Sequence, residues 1–323
     1  MGLAELRKQI DEIDIELQKL FEKRMAICDE VAREKKRTNA PVLQGNREEQ
    51  ILEAVRSRSA EGFSDSSEEF LKSIMAISRG RQKKLLTQSF TIPSGDIVNV
   101  IIPCGGSSSR MGFNKLMYSL KGREVVLRTI DCFDKTDNVS RIILSASDGI
   151  KSELEAMISK ENYSKEIIVV DGGSSRQQSV SNAAKHISAD CDYICVHDGA
   201  RPFIGNDIIK RAIEDAKQTG ASVVCVEAKD TIKVSDGSIV SQTPPRNTLF
   251  LAQTPQIIAK ELYLMALESA EAMNKEYTDD VSLCEAIGVM PKITLGSYSN
   301  IKLTTPEDIS VAEAILDKSE VNG

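Results

Sequence analysis

IVNVIIPCGGSSSRMGFNK, residues 97–115, decides how the larger part of this 323-residue chain is read. It opens on an apolar, mostly β-branched run that stops at Pro103, the mark of a strand buried on both faces of a parallel sheet. A loop then leaves the carboxyl end of that strand. Gly105, Gly106 and Gly112 let backbone N–H groups approach a ligand, Ser107, Ser108 and Ser109 add hydroxyl donors, and Arg110 and Lys115 bring two positive charges. Such a loop suits a polyphosphate. It is not a Walker A loop, because no Gly-Lys-Ser/Thr closes it, and it is not a GxGxxG fingerprint. Taken alone it is also compatible with an ordinary strand-to-helix turn.

Outward from this stretch, strands and helices alternate. Strands are predicted at 97–102, 141–146, 166–170, 193–196, 222–226 and 289–294, and helices at about 124–133, 150–160, 177–187, 206–219, 259–273 and 306–317. That order implies an α/β, Rossmann-like, doubly wound sheet whose ligands sit beyond the strands' carboxyl ends. Polar clusters fall at those ends: DGGSSRQQS at 171–179, HDGARP at 197–202, DTIK at 230–233, QTPQ at 253–256, TDD at 278–280 and NIKLTTPED at 300–308. The turn Ser235-Asp236-Gly237-Ser238 between alternating segments reads as a projecting β-hairpin. A short segment with Pro and Gly, 89–96, reads as a linker, so the domains are expected at 1–88 and 97–318.

The first domain reads differently. Leu3, Leu6, Ile10, Ile13, Leu17, Leu20, Ile27 and Val31 recur at steps of three and four, the seam of one long helix. At position 24 the seam is broken by Arg24, a charge that needs an anion if it points inward. A second helix is expected from Asn46 through Val55 and a third over 66–86, with Phe70, Leu71, Ile74 and Ile77 inward and Gly80 interrupting it. Three helices of such unequal length cannot bury the long seam, whereas an intertwined dimer can.

Composition narrows the chemistry. Residues 1–88 carry 17 Lys+Arg against 16 Asp+Glu, and the remainder 24 against 32, so neither half offers a basic nucleic-acid surface. Seven cysteines without a CxxC pair fit a reducing cytoplasm better than a disulfide framework. No apolar run nears the ~18 residues a membrane helix needs. The only histidines are His186 and His197, so chemistry must lean on Arg, Lys, Asp and a hard cation such as Mg²⁺.

Over about 3–86 the chain resembles the small all-helical chorismate mutases, through LRKQID, EKRMAICDEVAREK, PVLQGNREEQIL and SRGRQKKLL. The resemblance implies that Arg24, Arg47 and, from a partner subunit, Arg7 clamp the carboxylates of chorismate. It gives Lys35 and Gln82 the ether oxygen, and Glu48 and Ser78 the orientation of hydroxyl and carboxylate. Gln44 stands where that family usually has an aspartate, which leaves open a helical half that binds an aromatic acid or dimerises without catalysis.

Over about 97–317 the chain resembles the 2-C-methyl-D-erythritol 4-phosphate cytidylyltransferases, through PCGGSSSRMG, DGGSSRQQSV, VHDGARP, KDTIK, QTPQ, YTDD and NIKLTTPED in one order. It implies transfer of CMP from CTP, with Arg110 and Lys115 on the α-phosphate and Asp198 holding Mg²⁺. Gly105, Gly106, Ser107, Gly173, Arg176 and Ser179 would surround the nucleotide. Arg246, Lys302, Asp198, Thr231 and Thr254 would hold the sugar-alcohol phosphate, Arg246 and Thr254 reaching across from the partner of a homodimer. Ribitol 5-phosphate cytidylyltransferases share much of this pattern and remain the alternative. The expectation is therefore a bifunctional fusion enzyme.

Overall fold

The computed structural model describes residues 2–37, 45–87, 91–105, 111–272 and 275–321. Gly106, Ser107 and Arg110, and also Gln44, lie outside the described residues. The main division of the chain into two compact units falls after residue 90.

The helical unit holds α1 (Leu3–Arg37), α2 (Gly45–Arg58) and α3 (Ser64–Thr87). At 1.5 Å per residue, the 35 residues of α1 extend about 52 Å. α3 packs against both α1 and α2, and the buried apolar residues of the three helices are Met25 and Ala32 of α1, Val55 of α2 and Met75 of α3. Leu3, Leu6, Ile10, Ile13, Leu17 and Leu20 all remain exposed along α1. The interruption expected at Gly80 does not occur: α3 runs through it. A side chain added there would meet nothing within 4 Å, so glycine costs only its propensity, about 1 kcal/mol against alanine.

The α/β unit is built around a seven-stranded sheet. In chain order it contains β1 (Val98–Pro103), the small hairpin β2 (Ser119–Leu120) and β3 (Arg123–Glu124), α4 (Val125–Asp134), β4 (Val139–Ala146) and α5 (Asp148–Ile158). There follow β5 (Glu166–Asp171), α6 (Arg176–Ala184), β6 (Tyr193–Val196), α7 (Asn206–Thr219) and β7 (Ala221–Glu227). The arm is β8 (Val234–Ser235) and β9 (Val240–Gln242), after which come β10 (Phe250–Ala259), α8 (Lys260–Ala272), α9 (Asp280–Ala286), β11 (Lys292–Leu295) and α10 (Glu307–Val321).

The sheet order is β11-β7-β10-β6-β1-β4-β5, parallel except for β10. Val100, Ile101 and Ile102 of β1, Ile142 to Leu144 of β4, and Ile194 and Cys195 of β6 are fully buried, as continuous apolar runs in a sheet covered on both faces must be. Asn99 breaks the run at no cost, because Ser140 and the backbone N–H of Ser188 satisfy its amide at 2.9 and 2.7 Å. The helices answer with matching stripes. In α7 these are Ile208, Ile209, Ala212, Ile213 and Ala216, and the helix stops at Gly220, whose φ of 83° is left-handed.

Two elements depart from the sequence expectation. Residues 250–259 form a ten-residue central strand, β10, antiparallel to both neighbours, and 280–286 form the short helix α9. The hairpin expected after Asp230 is present as the β8–β9 arm, exposed along its length, Val234, Ile239 and Val240 included. No disulfide joins the cysteines. No described helix is long and apolar enough to cross a membrane.

Candidate active sites

Parallel strands deliver their loops to one edge, and the loops after β1 and β6 meet there around a cavity of about 160 Å³. Gly105 and Lys115 come from the first loop, Arg176 from the first residue of α6, Asp198 to Ala200 from the end of β6, and Lys302 from the segment before α10. An Asx turn, Leu116 N–H to Asn114 Oδ1 at 3.1 Å, sets the backbone that carries Lys115. The lining thus holds three cations, Lys115, Arg176 and Lys302, against one carboxylate, Asp198. That excess suits an anion of several charges.

Asp198 pairs with two of these cations, Lys302 and Arg176, and with Arg201. Its Oδ2 lies 3.1 Å from both Lys302 Nζ and Arg201 Nε, and its Oδ1 lies 4.0 Å from Arg176 Nε. Burial opposes ionisation of Asp198, yet Lys302, Arg176 and Arg201 outweigh it and hold the carboxyl well below the usual carboxylate range. Arg176 is fixed from behind. Its Nη2 donates to Asp280 Oδ2 at 2.6 Å, and Tyr263 donates to the other oxygen of that buried carboxylate at 2.5 Å. Gln256 then receives the backbone N–H of Asp280 and of Val281, both at 2.9 Å.

The 171–179 loop lies beside the first one. Gly173 N–H donates to Ser179 Oγ at 2.9 Å, and Ser179 donates to the Ser175 carbonyl at 2.8 Å. A Cβ at Gly105 would come within 3.5 Å of the same Ser179 oxygen, which places the two loops in contact. Gly173 admits no side chain, since a Cβ there would stand 2.8 Å from the Gln178 backbone carbon.

Thr231 and Arg246 do not line this cavity. Both are exposed near the arm, and Arg246 Nη1 donates to the Lys229 carbonyl at 3.0 Å. Thr254, expected to enter from a second subunit, is instead buried in this chain's own site, because β10 is a central strand that ends its polar segment against β6. His186 is exposed but lies in the turn just past α6, which ends at Ala184, and not on a helix surface. His197 is fully buried, and that burial pushes its imidazole down to about 4.

In the helical unit a separate cavity of about 320 Å³ gathers Arg24 and Lys35 of α1, Arg47 and Glu48 of α2, and Ser78 and Gln82 of α3. Arg24 donates to Ser78, whose own hydroxyl donates to the Ile74 carbonyl at 2.8 Å. Gln82 is buried, and its Oε1 has no hydrogen-bond partner among the described residues. Arg7 is exposed on α1 outside this cavity. Sequence reasoning missed Arg79, which lines the pocket and pairs with Glu48 at 2.5 Å. The signal was present: 75, 78, 79 and 82 share one helical face.

Burial depresses the Lys35 ammonium below the ordinary lysine value, an effect the nearby Glu48 only partly offsets. A reaction in this pocket that needs the Lys35 ammonium should lose kcat/KM on the alkaline side at a pH below the ordinary lysine pKa. A pH profile of turnover checks this, and Lys35→Arg should remove that limb.

By fold and cleft the α/β unit belongs to the nucleotide-dependent transferases, joined here to a helical unit with a cationic pocket of its own. Residues 98–318 match the family model described as 2-C-methyl-D-erythritol 4-phosphate cytidylyltransferase, and residues 6–83 match that described as chorismate mutase type II. The chain belongs to the 2-C-methyl-D-erythritol 4-phosphate cytidylyltransferase family and carries a chorismate mutase type II domain ahead of it.

Among its relatives, the 2-C-methyl-D-erythritol 4-phosphate cytidylyltransferase of Alkaliphilus oremlandii is 40% identical over 222 residues, which are 68% of this chain and 94% of the relative. That of Bacillus licheniformis is 42% identical over 226 residues, 69% and 97% of the two chains. Among solved structures, 4-diphosphocytidyl-2C-methyl-D-erythritol synthase from Anaerococcus prevotii aligns with a TM-score of 0.63 at 29% identity, covering 69% of this chain and 97% of its own.

Proposed function

We propose that the α/β unit transfers CMP from CTP to 2-C-methyl-D-erythritol 4-phosphate with release of pyrophosphate, and that the helical unit rearranges chorismate to prephenate. The observation that carries the first reading is the convergence of Lys115, Arg176 and Lys302 on one cavity around an ionised Asp198. The attacking group is a phosphate oxygen, already largely anionic near neutral pH, so no general base is needed. The barrier is repulsion between two polyanions. Fixed cations lower it by neutralising non-bridging oxygens as pyrophosphate leaves.

In this reading Lys115 and Arg110 serve the α-phosphate, and Gly105, Gly106, Ser107, Gly173, Ser179 and Arg176 enclose the nucleotide. Lys302 and Asp198 face the sugar-alcohol phosphate. Arg246 and Thr231, exposed near the arm, would serve the site of a second subunit in a homodimer. Assembly is supported by the exposed seam of α1 and by an apolar groove that includes Leu17, Leu20, Phe21, Phe70 and Ile77.

The donor set fits Mg²⁺ in one way. No group of three metal-ligating side chains occurs among the described residues, so an ion here would arrive on the triphosphate and add Asp198 as a protein ligand. Bound so, it would neutralise triphosphate oxygens. Asp198→Asn is therefore expected to move the midpoint of a Mg²⁺ titration of pyrophosphate release upward, and an unchanged midpoint would argue against a ligand at 198.

For the helical unit, a pericyclic rearrangement needs no nucleophile, only a site that holds the reactive conformation and stabilises charge on the departing ether oxygen. Arg24 and Arg47 would clamp carboxylates, with Arg7 from the partner subunit. Lys35 and the NH2 group of the Gln82 amide would donate to the ether oxygen, and Glu48 and Ser78 would orient the rest. The test is the full chain with CTP, Mg²⁺ and either methylerythritol or ribitol phosphate, with pyrophosphate measured, and separately with chorismate. Pyrophosphate from the first sugar alone and prephenate from chorismate are expected. Release with ribitol phosphate alone would reassign the substrate, and intact chorismate would leave the helical unit a binding module.

A further inference from the structure

Arg176 stands between two carboxylates but is bonded to one. Its Nη2 donates to Asp280 Oδ2 at 2.6 Å, a charge-assisted hydrogen bond, whereas its Nε lies 4.0 Å from Asp198 Oδ1, too far for one. The guanidinium is planar, so fixing Nη2 on a carboxylate restricts where its other N–H groups can point, and those remain for the cavity that Arg176 lines.

Asp280 is held in its turn. Tyr263 of α8, which has no solvent exposure, donates to Asp280 Oδ1 at 2.5 Å, so both oxygens of this buried carboxylate are engaged. Gln256 of β10 accepts the N–H groups of Asp280 and Val281 and donates to Asp279 Oδ2, each at 2.9 Å, which ties the first turn of α9 to a central strand. Beside Arg176, Gln177 donates to the Lys275 carbonyl at 3.1 Å and accepts the Tyr277 N–H at 3.0 Å, so the approach to α9 is fastened to α6 as well. An arginine has several torsions to order, and a ligand that must order them binds more weakly. Held by Asp280, the guanidinium is ordered beforehand. The other role open to Asp280, subtracting charge from a site rich in cations, predicts the opposite sign, because its removal would then tighten the hold on an anion.

We propose that Asp280 and Tyr263 are positioning residues that aim Arg176 at the phosphates of the nucleotide, and so set the affinity for CTP and not that for the sugar phosphate. This rests on the cytidylyltransferase reading. Neither residue meets substrate; both act through Arg176.

The test is calorimetric binding of CTP with Mg²⁺ to the full chain without sugar phosphate, so that an inactive variant is still measured, followed by KM for methylerythritol phosphate in the turnover assay. Tyr263→Phe keeps the ring that fills the core and removes one donor, and should weaken CTP binding about threefold. Asp280→Asn keeps the size and one acceptor, and should weaken it about tenfold, the range expected when one rotamer-rich side chain loses its ordering. KM for methylerythritol phosphate should change less than about twofold in both. Arg176→Met should weaken CTP binding at least as much, and adding Tyr263→Phe or Asp280→Asn to it should change nothing further. Tighter binding by Asp280→Asn, equal losses for both substrates, or losses that persist undiminished in the Arg176→Met background would overturn the proposal, as would variants that lose thermal stability and keep their affinity for CTP. Absence of CTP binding by the wild-type chain would instead overturn the reading beneath it.

Discussion

Lys302→Ala lowers kcat/KM for cytidylyl transfer by about 10²-fold or more, the scale of removing one preorganised charge-stabilising group. Two effects contribute and can be separated. Lys302 is a cation lining the cavity, and it is also one of the partners that keep the buried Asp198 carboxylate ionised. Were balancing Asp198 its whole role, Asp198→Asn in the Lys302→Ala background would restore turnover, since the stranded charge would be gone. If Lys302 acts on the phosphate, the double variant stays as slow as the worse single one. Pyrophosphate release by the three variants distinguishes these outcomes, and a single-variant loss under threefold would remove Lys302 from the transfer step.

Arg24→Ala lowers chorismate turnover by about 10²-fold or more, while Arg24→Lys recovers only part of it, because an ammonium cannot reproduce a bidentate grip on a carboxylate. The position favours a clean experiment. Ser78 retains the Ile74 carbonyl when the guanidinium is removed, so no buried hydroxyl is stranded. Arg24 also borders the apolar groove next to Phe21 and Phe70, so the oligomeric state of the variant should be measured alongside. Chorismate turnover within threefold of wild type would count against a carboxylate clamp at this residue.

Where the sheet and its site were readable in advance, the reason is that parallel strands advertise themselves twice. Each is a continuous apolar run, and each ends in a polar loop, so Ile97–Ile102 and Tyr193–Val196 and the clusters beyond them could be placed together without coordinates. β10 gave neither signal. Its sequence FLAQTPQIIA puts Gln253, Thr254 and Gln256 inside the protein, and what makes them tolerable is invisible to hydropathy. Gln256 is satisfied by Asp279 and by two backbone N–H groups, and Gln253 by Asn300 and the Ser297 carbonyl.

The same limit applies to partners distant in sequence. Nothing near Arg176 points to Asp280, 104 residues on, nor does the basic run at 79–84 reveal that Arg79 turns toward Glu48 while Arg81 turns to Asp29. Gly80 misled in the opposite direction. A residue with high helix cost was weighted as a break, but the length of α3 and its packing against both other helices override a local penalty of about 1 kcal/mol.

β7 and β10 are direct neighbours, with Glu227 opposite Phe250. Everything between them, the arm included, departs from one rung of the ladder and comes back to the same rung. Such a detour has no say in the register of the sheet. The tip between β8 and β9 can lengthen or shorten over generations while the sheet keeps its alignment, so the arm is free to be tuned for whatever it clasps.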